Sequence, residues 1–250
     1  MAEIEVKDLS FSYDGKRDAL SRMTFRIEPG ESVGIVGANG AGKSTFLRLV
    51  VGLLDGYRGT LEVNGWPLER THYARIRERV GYVFQDSESQ LFLSTVAEDV
   101  AFGPVQYGYP PDEVEARVTA ALAAVRIEAL RDRRIYQLSG GEKKLAAIAT
   151  VLSLRPAILL FDEPTIALDP RNRRNLIRVM NAMPCTKVIA SHDLDMILDT
   201  CSRTLIFESG RLIADAPTRE ALSDRALLEA HGLELPLSLE HGALSVEGRE

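Results

Sequence analysis

The sequence predicts an α/β fold: a core of parallel strands and helices, opened by an antiparallel β segment and interrupted by a helical insertion. Three observations carry that prediction. Short, almost wholly apolar runs recur at residues 32–36, 157–161, 188–190 and 204–207, as expected for strands covered on both faces. Apolar residues at helical spacing stand between them. From Gln85 to about Pro156 the strand signal stops altogether.

Taken in order, residues 4–6 and 23–27 cluster β-formers around turns at Asp14-Gly15 and Pro29-Gly30, which reads as β hairpins. The strand at 32–36 leads straight into a glycine loop. A helix follows, with Phe46, Leu47, Val50 and Val51 on its apolar face. Residues 61–65 and 81–84 read as further strands. Within the insertion, 114–125 is alanine-rich and helical, and Leu145, Ile148, Ala149 and Leu152 repeat at helical spacing. Later helices are expected to begin near Asn172 and near Leu194. After Pro217 comes a short helical pattern at 219–230, then a tail of little periodicity. The expected organisation is a domain over 1–217, with its helical subdomain at about 86–156, and a C-terminal extension over 218–250.

At 250 residues the chain is long enough for one α/β domain with a sizeable core. A net charge of −6 argues against a large nucleic-acid footprint. The basic clusters Arg75, Arg77, Arg79 and Arg131, Arg133, Arg134 are interleaved with or flanked by acids, so they read as solvated helix faces. Cys185 and Cys201 lack metal-ligand spacing and point to a reducing compartment. Glu3, Glu5 and Asp8 stand where a signal peptide would need a basic start, so none is expected. The most apolar run, 145–154, falls well short of the roughly 20 residues that span a bilayer. His72, His231 and His241 fit no motif and are expected at the surface.

Gly37-Ala38-Asn39-Gly40-Ala41-Gly42-Lys43-Ser44-Thr45 fits G-x-x-x-x-G-K-[ST], with an apolar strand before it and an apolar helix after it. Such glycines let successive N–H groups face phosphate oxygens, and the helix N-terminus adds positive potential. Lys43 is placed to put its charge on a γ-phosphate, and the Ser44 hydroxyl is a candidate Mg²⁺ ligand. Residues 159–163 end a buried strand in two carboxylates. Neighbouring strand residues point opposite ways, so the two acids have different tasks. Asp162 suits a Mg²⁺ partner and Glu163 the group that polarises the attacking water. A second anion site is read at Leu138-Ser139-Gly140-Gly141-Glu142, where a hydroxyl, exposed N–H groups and a helix dipole meet. The duller reading is a serine N-cap with Glu142 as its capping-box partner.

These residues together resemble the ATP-binding cassette ATPases: residues 138–142 look like that family's signature sequence. The resemblance covers roughly 3–215 and implies a P-loop NTPase (RecA-like) core. It implies further that Tyr13 stacks on adenine, that Gln85 touches Mg²⁺ and the water and reports to a transport domain, that Asp169 communicates across a dimer, and that His192 contacts the γ-phosphate. It also implies a homodimer, or a heterodimer with a related ATPase, sandwiching ATP between 37–45 of one copy and Ser139, Gly140, Gly141 and Glu142 of the other.

A narrower likeness runs through Val83-Phe84-Gln85, Gln90-Leu91-Phe92, residues 95–104 ending in Gly103-Pro104, and Gly141-Glu142-Lys143-Lys144. It is to the energy-coupling-factor ATPases, the cobalt/nickel and vitamin importers. It implies integral membrane subunits docking near residues 85–104, at the cytoplasmic face of the cell membrane. Another transporter type, or a soluble cassette ATPase acting on a ribosome or nucleic acid, is the alternative. Two positions depart from the family pattern: Ala167 stands where a glycine is usual, and Leu145 replaces an arginine.

Overall fold

The computed structural model describes residues 2–244. Its first elements are β1 (Ile4–Ser12), β2 (Asp18–Ile27), β3 (Ser32–Val36), α1 (Lys43–Val50), β4 (Arg58–Val63), β5 (Trp66–Pro67), α2 (Tyr73–Arg79) and β6 (Val80–Val83). Then come α3 (Val96–Gln106), α4 (Pro111–Val125), α5 (Gly140–Leu152), β7 (Ile158–Asp162) and α6 (Pro170–Ala182). The chain continues through β8 (Thr186–Ala190), α7 (Leu194–Thr200), β9 (Arg203–Glu208), β10 (Arg211–Pro217), α8 (Thr218–Ser223), α9 (Arg225–Ala230) and α10 (Leu237–Leu244). It divides into two compact units, one of residues 1–76 with 186–250 and one of residues 77–185. The helical segment expected at 86–156 lies inside the second.

The first unit holds an antiparallel sheet in the order β2-β1-β4-β5. Strand β1 runs on past the expected 4–6, because Leu9 and Phe11 continue the buried face begun by Ile4 and Val6. Asp14 closes the β1–β2 turn by accepting from the Lys16 backbone N–H at 2.8 Å. The unit's other strands run β10-β9-β3-β8, with β9 and β8 parallel to β3 on either side and β10 antiparallel on β9. Strand β10 is absent from the sequence reading: residues 211–217 are half-exposed and carry Arg211 and Asp215, so the continuous apolar run of a covered strand is missing. The ring of Phe46 on α1 packs edge-on against Phe25 and Phe207, seating α1 on both sheets. The helical pattern at 219–230 is two helices, since Asp224 caps the second through the Leu227 N–H. The tail contains α10; residues 245–250 and the side chain of His241 lie outside the described residues. His72 and His231 are half-buried rather than simply at the surface, and His231 Nδ1 meets Glu208 at 3.1 Å.

The second unit pairs β6 and β7 in parallel, Val80 opposite Ile158 and Val83 opposite Phe161. Helices α3, α4 and α5 pack on one another, and α5 lies against β6. A Cβ on Gly81 would stand 2.0 Å from Val151, so the strand needs glycine where the helix crosses it. Arg75, Arg77 and Arg79 lie exposed on α2 as expected. Arg131, Arg133 and Arg134 do not form a helix face; they occupy a loop between short 3₁₀ turns. The carbonyls of Arg131 and Arg133 accept the Ala97 and Val96 N–H groups, so this loop supplies partners that the first turn of α3 otherwise lacks. Among the described residues no helix is long and apolar enough to cross a membrane.

Candidate active site

In the first unit, the loop leaving β3 turns through backbone that only glycine takes without strain. Gly40 and Gly42 have φ of +80° and +105°. A Cβ on Gly37 would lie 2.2 Å from the Phe207 carbonyl oxygen. The loop therefore stays tight against β9 while Ala38, Asn39 and Gly40 face outward. Lys43 is buried, and its Nζ donates to the Gly37 carbonyl at 2.7 Å and to Ala38 at 3.4 Å. Ala41 is buried too, while Ser44 and Thr45 sit half-exposed in the first turn of α1.

Tyr13, just past β1, is 60 % exposed, so its ring is open for stacking rather than half-buried in a strand. Its hydroxyl and Thr45 Oγ1 are 3.1 Å apart, and Phe11 braces the ring edge-on. His192 follows β8, the direct parallel neighbour of β3, and is exposed. The P-loop and His192 thus leave the carboxyl ends of adjacent strands, where open α/β sheets bind ligands.

The second unit repeats the arrangement on β6 and β7. Gln85 follows β6 and is exposed; Asp162 ends β7 and is 1 % exposed. Tyr82 donates its hydroxyl to Asp162 Oδ2 at 2.8 Å, holding the carboxylate from the neighbouring strand. Glu163 is buried with φ of +46°, and Ala167 four residues on has φ of +62°. A turn bracketed by two left-handed non-glycine residues is strained backbone. Asp169 caps α6, accepting from Arg171 N at 2.9 Å and Asn172 N at 2.8 Å; these N–H bonds hold its carboxyl below the usual range.

Ser139 caps α5 in a complete capping box: its Oγ accepts from Glu142 N at 3.3 Å, while Glu142 Oε2 accepts from Ser139 N at 2.8 Å. Those bonds hold the Glu142 carboxyl below its ordinary value. The two glycines differ. A Cβ on Gly141 would meet the Asn172 side chain at 2.4 Å, whereas one on Gly140 would meet nothing within 4 Å.

Near residues 85–104 three consecutive apolar residues differ in exposure. Leu91 is buried, Leu93 half-exposed, and Phe92 is 63 % exposed, edge-on to Phe102. A cavity of about 360 Å³ opens here, lined by Phe92, Tyr136 and the charged Glu88, Arg134 and Lys143.

Sequence reasoning gave no role of their own to Tyr82, Lys144 and Gln90, although the last two stand in the stretches that carry the narrower likeness. Lys144 carried a signal, since it lies four residues before Ile148 on one helical face. It is 3 % exposed and donates to Gln85 O at 2.7 Å and Phe84 O at 3.2 Å. No group of His, Cys, Asp and Glu that could hold a metal ion by itself exists among the described residues. Ser44 in the first unit, and Asp162 and Gln85 in the second, each offer a hard oxygen donor of the type Mg²⁺ takes.

A glycine loop on a parallel strand, carboxylates ending another, and a capped glycine pair define a cassette-type ATPase. The family model described as "ABC transporter" matches residues 20–166, and the chain belongs to that family. It is the ATPase subunit of a transporter, with the ABC ATPase fold. It is 48% identical to a Geobacter sulfurreducens protein provisionally named as an ABC transporter ATP-binding protein, over 95% of each chain. The energy-coupling factor transporter ATP-binding protein EcfA of Methanothermobacter thermautotrophicus is 41% identical, over 93% of this chain and 76% of that one. Among solved structures, CbiO1 from Clostridium perfringens, described as part of the ABC transporter complex cbiONQ, superposes with a TM-score of 0.84 at 33% identity, over 98% of both chains.

Proposed function

We propose that this chain hydrolyses ATP as one of two subunits that close over two nucleotides, and that it powers an importer of the energy-coupling-factor type carrying cobalt or nickel ions or a vitamin. The observation that carries the sandwich is Gly140. Its side of the helix start is empty, so nothing in the chain's own fold demands glycine there. Glycine is a poor helix former, and close approach of a nucleotide on a second copy supplies the missing reason. The likeness to EcfA and CbiO1 supports the importer type. The exposed Phe92 and the cavity beside it suit docking of a membrane subunit, which would hold the chain at the cytoplasmic face of the membrane.

In this reading Tyr13 stacks on adenine and the 37–45 backbone receives the phosphates. Lys43 would leave the Gly37 carbonyl for a γ-phosphate oxygen, and Ser44, Gln85 and Asp162 would hold Mg²⁺. Mg²⁺, when bound, neutralises charge on the β- and γ-phosphates. Glu163 orients the attacking water, and His192 donates to the γ-phosphate. Ser139, Gly140 and Gly141 of the second copy complete the cage, with Asp169 near the seam. Loss of the γ-phosphate then removes what ties the copies together.

Glu163→Gln should bind ATP yet turn over about 10²–10⁴-fold more slowly, and should elute as an ATP-dependent dimer on a sizing column. A monomeric Glu163→Gln protein at saturating ATP, or wild-type turnover per chain that does not change on dilution, would overturn the sandwich.

A further inference from the structure

The segment 84–90 carries Gln85 and is fastened to helix α5 at three places. Lys144 Nζ donates to the carbonyls of Gln85 and Phe84, at 2.7 and 3.2 Å. Gln90 works in the opposite sense on the same residue, Phe84: its Oε1 accepts the Phe84 N–H at 3.1 Å, while its Nε2 donates to Ala147 O at 2.7 Å and Thr150 Oγ1 at 2.9 Å. Lys143, on the next residue of α5, pairs with Glu88. Phe84 therefore has both its N–H and its C=O held by side chains anchored on α5.

We propose that Lys144 and Gln90 are positioning residues that weld the Gln85 loop to α5, so that the loop and the Ser139 end of the helix move as one body. A displacement of the loop, from either side, is then delivered to the helix start without slack.

Two features favour a positioning role over ordinary packing. An ammonium on the buried face of a helix is unfavourable unless its donors are used, and two of the three donors of Lys144 go to the loop. Gln90, half-buried, spends its whole side-chain amide on bridging Phe84 to Ala147 and Thr150.

The proposal rests on the reading of Gln85 as an active-site residue only for its effect on turnover; the weld itself is read separately. Hydrogen exchange on the full chain should show amides 84–90 of Lys144→Met opening at least about 10-fold faster than wild type. Its kcat should fall about 10-fold or more, with KM for ATP within about twofold because 37–45 is untouched. Lys144→Arg, which keeps a donor for each carbonyl, should restore both. Gln90→Leu gives the same exchange test by a second route if Lys144→Met does not fold. Unchanged loop exchange in the variant that folds would overturn the weld. Exchange that quickens while Gln85→Ala keeps full kcat would instead overturn the role given to Gln85 and leave the weld standing.

Discussion

Ala167 sits at a φ of +62° where the family resemblance leads one to expect glycine. The departure was legible as a letter, but the left-handed backbone that makes it matter was not. A β-carbon there is strained by about 1 kcal/mol or more. Ala167→Gly should therefore raise Tm by up to about 2–4 °C in a calorimetric scan; a lower Tm would mean the turn is not strained. Asp169 makes a pH-dependent case. Its folded carboxyl lies below the ordinary 3.8, so its cap stabilises fully above that value and is lost as pH falls through the folded one. Asp169→Asn keeps an acceptor for the Arg171 and Asn172 N–H groups but does not titrate. Its Tm should drop less than that of wild type between pH 6 and pH 3, and equal drops would place the acid sensitivity elsewhere. Lys43 could be singled out because it stands in a phosphate-binding pattern, and Glu163 because it follows an apolar strand run. The contacts of Tyr82 with Asp162 and of Gln90 with Ala147 and Thr150 could not, since those partners lie 80 and 57–60 residues away.

Under the proposed reading helix α5 holds two functions in one turn, and substitution separates them. Ser139 is visibly an N-cap; under the proposed reading it is also a donor to a second copy's nucleotide. Ser139→Asp keeps a preferred cap residue but turns a carboxylate toward the phosphate. We expect Tm near wild type with ATPase turnover down about 10-fold or more. Turnover that follows Tm in Ser139→Asp and Ser139→Ala alike would reduce the residue to its cap. The elements most easily read were those with one strong period: α4, α5, and the covered strands β3, β7, β8 and β9. Helix α3 had no such signal, because Gly103 and Pro104 sit inside it. It forms all the same, with Thr95 and Glu98 closing a capping box and the 131–133 loop taking its first N–H groups. Strand β10 and helices α8 to α10 were blurred for a related reason: half-exposed elements of six to eight residues are too short to establish a period.

At the scale of the molecule, the cassette architecture follows from two sheet segments that each deliver polar groups at the carboxyl ends of their strands. Under the proposed reading a membrane partner is engaged at the surface around Phe92. Phe92→Asp changes an exposed ring, unlike substitution of buried Leu91, and should leave the ATPase rate of the isolated chain within about twofold. It should abolish uptake by the assembled transporter; unimpaired uptake would move the docking surface elsewhere. The cysteines offer a practical handle on such experiments. Cys201 is buried, and burial pushes its thiol up to about 11, so it resists alkylation while the chain is folded. The other, Cys185, is half-exposed. A maleimide dye should then mark the native protein at one position, Cys185, with no engineered cysteine.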